Sequence, residues 1–249
     1  MKIEIHNKDC LEVMKSMSDG SVDLVFTSPP YNMKTNVGGA LASNCKSDIW
    51  SKPELRNGYE SYGDAMPYPE YIQWQRECLT EMMRIIPDDG AIFYNHKYRI
   101  QRGELLDRRE IIEGFPLRQI IIWSRGCGVN FNQNYFLPTY EVLFLITKPK
   151  FKLKKGCSGL GDVWSIHPEK KNPHPAPFPV ELPRRAISST NAKVVFDPFM
   201  GSGTTALACA ELGVSFIGSE ISEEYCNQAK LRIKKTNEAL QSLNQPTEP

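Results

Sequence analysis

Val194-Val195-Phe196-Asp197-Pro198-Phe199-Met200-Gly201-Ser202-Gly203-Thr204-Thr205 reads as a strand, a tight glycine turn and a helix start. Glycines at 201 and 203 carry no Cβ, so the backbone there can approach a bulky ligand. The pattern continues as a helix over 204–212 and a strand over 215–218, with Glu220 just beyond that strand. An acid one β-α-β unit after a glycine turn is placed to accept hydrogen bonds from ribose hydroxyls. The unit therefore predicts a pocket for an adenosine-containing cofactor. A P-loop is excluded, because no Gly-Lys-Ser/Thr follows at the required spacing. A carboxylate at Asp197 would repel a pyrophosphate but favour an amine-bearing, cationic ligand such as S-adenosylmethionine. An ordinary strand-turn-helix connection is the competing reading.

Working outward, short β-rich runs alternate with helical patterns along most of the chain, the mark of an α/β sheet with crossover helices. Strands are predicted at 3–6, 22–26, 91–94, 117–123 and 141–147. Helices are predicted around Leu11–Met17, over 69–86, at the end of 105–112 and over about 223–240. Three stretches resist the pattern: 32–67, 125–138 and 148–179. They read as loop insertions in one domain covering 1–249, with 32–67 and 125–172 as candidate target-recognition segments.

The 249 residues are 41% hydrophobic and 24% charged with a formal net charge of +1, enough apolar material for a core and too balanced for a histone-like binder. No apolar run reaches the roughly 18 residues of a membrane span, and the first residues lack a signal-peptide core, so a cytoplasmic location is expected. Seven cysteines without a Cys-x-x-Cys fit neither a disulfide framework nor zinc, and the four histidines show no ligand spacing. No metal site is expected.

A second motif closes the strand at 22–26: Thr27-Ser28-Pro29-Pro30-Tyr31. Two prolines fix φ and donate nothing, leaving a rigid corner rich in acceptors. The Ser28 hydroxyl and nearby carbonyls could accept from an amino group, and Tyr31 offers a face on which a planar base could stack. The bland reading is that Pro-Pro merely ends the strand.

Together the two motifs resemble those of the beta-type amino-directed DNA methyltransferases, which modify cytosine N4 or adenine N6. Ser28, Pro29, Pro30 and Tyr31 look like the catalytic motif, and 197–205 looks like the cofactor motif, in the permuted order with catalysis first. His174 and Pro175 resemble the segment against the methionine moiety, and Asp9 the acid that contacts adenine. The resemblance implies S-adenosyl-L-methionine held by Asp9, Thr27, His174, Pro175, Asp197, Pro198, Phe199, Gly201, Ser202, Gly203, Thr204, Thr205 and Glu220. It implies a seven-stranded, mostly parallel Rossmann-like sheet with helices on both faces. The expected reaction is methyl transfer to the exocyclic amino group of a base flipped out of double-stranded DNA. Ser rather than Asp at position 28 tips the expectation toward cytosine N4, with adenine N6 as the alternative. A homodimer and a cognate restriction nuclease are the partners such a resemblance suggests.

Lys148, Lys150, Lys152, Lys154 and Lys155 form a candidate phosphate-binding stripe, or else a solvated edge. Arg125 and Asn130 carry side chains that read base edges. Asn95-His96 either borders the pocket or caps a strand. An RNA or protein amide methyltransferase, a nucleotide-dependent oxidoreductase and a non-catalytic nucleic-acid-binding module are the rivals. The oxidoreductase leaves Ser-Pro-Pro-Tyr idle, and the binding module has no use for a cofactor pocket.

Overall fold

Leu24–Thr27 and Ala91–His96 are buried along their whole length, which only strands covered on both faces can be. They are β2 and β3, and they pair in parallel with Leu24 opposite Ala91 and Thr27 opposite Tyr94. The computed structural model describes residues 1–32, 66–101, 103–126, 133–169 and 178–243. Around this pair the remaining strands are β1 (Ile3–His6), β6 (Leu117–Ser124), β7 (Tyr140–Thr147), β8 (Val163–Ser165), β9 (Val194–Asp197) and β10 (Ser215–Ser219). Their order is β1-β10-β9-β2-β3-β7-β6-β8, an eight-stranded sheet in which β7 alone runs against the others. The expected seven strands are joined by the short edge strand β8, which falls inside the stretch read as an insertion.

Helices cover both faces. On one lie α1 (Cys10–Ser16), α2 (Tyr68–Ile85) and the short α3 (Arg109–Ile112), packed through Met14, Leu79, Met82 and Ile111. On the other lie α4 (Glu181–Ser188), α5 (Thr204–Leu212) and α6 (Glu223–Leu243), packed through Leu182, Ala206, Ala229 and Ile233. Each of the Leu, Ile and Met side chains among these contributes about 1.5–3 kcal/mol when taken from water, and each Ala methyl about 0.8 kcal/mol. No helix among the described residues is long and apolar enough to cross a membrane.

A hairpin, β4 (Arg99–Gln101) with β5 (Glu104–Leu106), takes the first two residues of the helix expected at 105–112, which forms only over its last four as α3. Its turn uses Gly103 at φ +84°, and the helix begins only after Asp107, whose Oδ1 accepts from the Arg109 amide at 3.0 Å. Leu105, read as an apolar helix position, is exposed.

The topology places the site. From β9 the chain crosses through α5 to β10 on one side. From β2 it crosses through α2 to β3 on the other. The crevice beyond the C-terminal ends of β9 and β2 is therefore the switch point where open α/β sheets bind ligands.

Candidate active site

Asp197, the last residue of β9, is fully buried. Its Oδ1 accepts from Thr27 Oγ1 at 2.7 Å and from the Phe199 amide at 3.1 Å, and its Oδ2 accepts from Thr205 Oγ1 at 2.6 Å. One carboxylate thus ties the end of β2, the turn after β9 and the first turn of α5. The two motifs, far apart in sequence, open onto a single cleft lined by Ser28, Pro30 and Tyr31 from one and Pro198, Phe199, Gly201, Ser202 and Thr204 from the other.

Asp197 itself does not line the cleft, nor do Thr27, Gly203 and Thr205. Its three hydrogen bonds give Asp197 a structural role at the base of the cleft. Burial raises its pKa to about 6, with the hydrogen bonds from Thr205, Thr27 and Phe199 pulling the other way. Gly203 likewise serves packing. It sits at φ +83°, and a Cβ there would stand 2.8 Å from the Ala229 Cβ on α6 rather than against a ligand. Arg232 of α6 holds the same turn, donating to the Ser202 carbonyl at 2.7 Å and to Ser202 Oγ at 2.8 Å.

The remaining wall suits an adenosyl cofactor bearing hydroxyls and an amino group. Glu220 Oε2 accepts from the Gly201 amide at 3.0 Å and Oε1 from the Ser222 amide at 2.9 Å, which leaves each oxygen a further lone pair for a ligand donor. Burial raises the Glu220 pKa against those hydrogen bonds. Asp9 caps α1 with Oδ1, accepting from the Leu11 and Glu12 amides, and lines the same cleft. Trp74, Phe178, Phe199 and Ile221 supply apolar wall, with Trp74 edge-on to Phe199 at 5.6 Å. His174 and Pro175 lie outside the described residues.

The corner itself is held through the Ser28 and Tyr31 hydroxyls and the Pro30 and Tyr31 carbonyls. The Tyr31 hydroxyl donates to Glu141 Oε2 at 3.0 Å. Its ring lies on that of His96 at 4.8 Å, and Arg108 Nη2 donates to its carbonyl at 3.2 Å. The Tyr71 hydroxyl donates to the Pro30 carbonyl at 2.9 Å and meets His96 Nε2 at 2.8 Å. His96 Nδ1 meets the Lys97 amide at 2.8 Å and the Lys97 carbonyl at 3.3 Å. Burial, then the Arg108 charge, lowers the His96 pKa well below its ordinary range, so the ring under Tyr31 is neutral. Asn95 Nδ2 reaches Ser28 Oγ at 3.2 Å, Tyr31 Oη at 2.8 Å and Glu141 Oε2 at 3.1 Å.

A model of the DNA methylase family, the N6/N4 methyltransferases, matches residues 22–231. The chain belongs to this family. Among curated relatives it is 29% identical to the type II methyltransferase M.BglII of Bacillus subtilis, over 91% of this chain and 67% of the relative. It is 26% identical to the type II methyltransferase M.HpaI of Haemophilus parainfluenzae, over 95% and 76%. In fold it is similar to the cytosine-N4-specific PvuII DNA methyltransferase, with a TM-score of 0.70, 19% identity and coverage of 97% and 93%. The M1.HpyAVI–SAM complex matches with a TM-score of 0.59, 24% identity and coverage of 92% and 99%.

For a DNA methyltransferase the charge placement matters as much as the cleft. Lys148 follows β7, whose far end pairs with the start of β3. The Lys148 amide donates to the Gly90 carbonyl at 3.1 Å, and Lys150 Nζ pairs with Asp88 at 2.9 Å. Lys152, Lys154 and Lys155 continue outward, with Phe151 and Leu153 turned to the core. The stripe therefore begins roughly 20 Å from the catalytic corner, at the other end of the sheet. At the cleft end stand different cations. Arg125 Nη1 pairs with Glu141 Oε1 at 3.4 Å, Arg99 Nη1 donates to the Asn32 carbonyl at 3.3 Å, and burial, then the Arg125 charge, lowers the Lys97 pKa from its ordinary value. Asn130 lies outside the described residues. Sequence reading missed Tyr71, Arg108 and Glu141. Only Glu141 carried a signal, as a carboxylate opening an otherwise apolar strand.

Proposed function

We propose that this DNA methyltransferase methylates an exocyclic amino group of a flipped base at a defined site, with cytosine N4 as the preferred target. The observation that carries the reading is the hydrogen-bonded chain from Ser28 through Tyr31 to Glu141, and its direction follows from the carboxylate at its end. The Tyr31 O–H donates to Glu141, so its hydrogen is spent. The Ser28 hydroxyl, 2.8 Å away, must then donate to the Tyr31 oxygen. With its hydrogen turned from the cleft and one lone pair facing Asn95, Ser28 Oγ has a lone pair left to accept an N–H. A group fixed as an acceptor favours an amino donor over a ring carbonyl.

When bound, S-adenosylmethionine supplies the methyl group. The Ser28 oxygen, with the Pro29 carbonyl as the second acceptor, holds the two amino hydrogens so that the nitrogen lone pair turns out of conjugation. Tyr31, held on the His96 ring and lining the cleft, is the aromatic side chain beside which the base would stack. Rate then comes chiefly from alignment. The neutral hydroxyl at 28 supports cytosine. Sequencing DNA from a host expressing the protein, with modified-base detection, tests base, atom and site together. N4-methylcytosine at one motif is the expected result, N6-methyladenine would move the preference to adenine, and unmodified DNA would overturn the reading. The type II class of the relatives makes a nuclease cutting that same motif the companion to look for.

A further inference from the structure

Phe136 is the most exposed large apolar side chain of the described residues, at 97%. It stands on the connection from β6 to β7, which leaves the sheet at the cleft end, because Ser124 pairs with Tyr140 and Trp123 with Glu141. That connection is moored. The Arg125 amide donates to the Thr139 carbonyl at 2.8 Å, and Arg125 Nη2 donates to the Pro138 carbonyl at 2.9 Å. The same guanidinium pairs with Glu141, which in turn holds Tyr31. A single arginine thus registers the loop bearing Phe136 against the corner that receives the base. Tyr140, 44% exposed, continues the aromatic surface, and Lys97, Arg99 and Arg125 make this rim cationic.

An aromatic ring with almost no protein contact costs solubility unless something covers it. On a cationic rim beside a base-flipping cleft, the apolar surface that fits is the interior of a base stack. We propose that Phe136 enters the DNA base stack beside the target and fills the space the flipped base vacates. This rests on the amino-methylation reading above. The expected role is duplex opening, with cofactor binding left alone.

The test compares Phe136→Ala with the wild-type protein on two synthetic duplexes carrying the motif found by sequencing. One is fully paired, and the other has a mismatch opposite the target base, which removes most of the cost of opening. Methyl transfer to the paired duplex is expected to fall about 10- to 100-fold, the scale of one lost unstacking contribution. Transfer to the mismatched duplex should stay within about threefold of wild type, since an unpaired base flips at little cost. Phe136→Trp should restore the paired rate. With 2-aminopurine at the target, the fluorescence rise on binding should shrink in the alanine variant. Equal losses on both duplexes would assign Phe136 a merely structural role and overturn the proposal, as would no loss on either. A wild-type protein that methylates neither duplex would overturn the underlying reading instead.

Discussion

Glu141 reaches Ser28 through Tyr31 and through Asn95, and the Tyr31 route sets which way the Ser28 hydroxyl points. Glu141→Gln keeps the shape but offers an amide N–H where the Tyr31 proton now goes. The phenol can then donate back to Ser28, and the chain loses its direction. The expected outcome is a fall in kcat of about 10- to 100-fold, the equivalent of one hydrogen bond to a charged group, with KM for S-adenosylmethionine unchanged. Tyr31→Phe should match it in kcat, because it deletes the acceptor that takes the Ser28 proton. A variant with wild-type kcat would show that the hydroxyl orients without Glu141. Asp197 invites a different measurement. Its folded pKa, about 6, lies above the ordinary carboxylate value of 3.8. The stability from keeping it neutral is therefore complete below that ordinary value and is lost as pH rises through 6. Wild type should lose roughly 1–2 kcal/mol relative to Asp197→Asn between pH 5 and pH 7, read from urea unfolding. A difference that stays flat across that window would show that Asp197 is ionised throughout.

Among elements, the contact of α6 with the glycine turn holds the cofactor wall in place. Gly203→Ala would force a Cβ into the Ala229 Cβ at a φ of +83°, costing about 2–4 kcal/mol from overpacking and backbone strain together. Ala229→Gly in the same chain should recover the steric part and leave the strain, so the double variant should melt between the single variant and wild type. If the double variant recovers nothing, the contact is not the source. This turn also shows what a sequence can and cannot convey. Gly201 and Gly203 were legible as a bend, since only glycine takes such backbone cheaply. Which glycine faces a ligand and which faces a helix depends on α6, which arrives from twenty residues later. Ser28–Tyr31 and Glu220 were legible because their chemistry is local to a strand end. Tyr71 and Arg108 were not, because their part is to hold carbonyls of a distant corner, and a buried tyrosine or an arginine in a chain of ordinary charge announces nothing. The hairpin at 99–106 escaped for a similar reason. Its apolar residues sit at spacings that suit either period, and Gly103 decides between them.

At the scale of the whole molecule, the sheet separates two groups of cations. Strand β7 runs against its neighbours, so the Arg125–Glu141 pair lies at the cleft end and Lys148–Lys155 at the other. Duplex DNA delivering a base to Tyr31 lies over the cleft end, and phosphates are neutralised where the duplex lies. Replacing Lys148, Lys150, Lys152, Lys154 and Lys155 with glutamine should therefore change the salt dependence of DNA binding little, less than one released counterion in slope. Lys97→Gln with Arg99→Gln should flatten it by about one to two, since each phosphate contact contributes about 0.9 to the slope. Arg125 is left out of that pair because its loss would also free Glu141 and disturb the corner. The measurement is binding of one duplex across a salt series for each variant. A flattened slope in the lysine variant with an unchanged one in the rim variant would mean that DNA wraps past the edge at β8 to reach the far end, and would move the duplex path off the cleft axis.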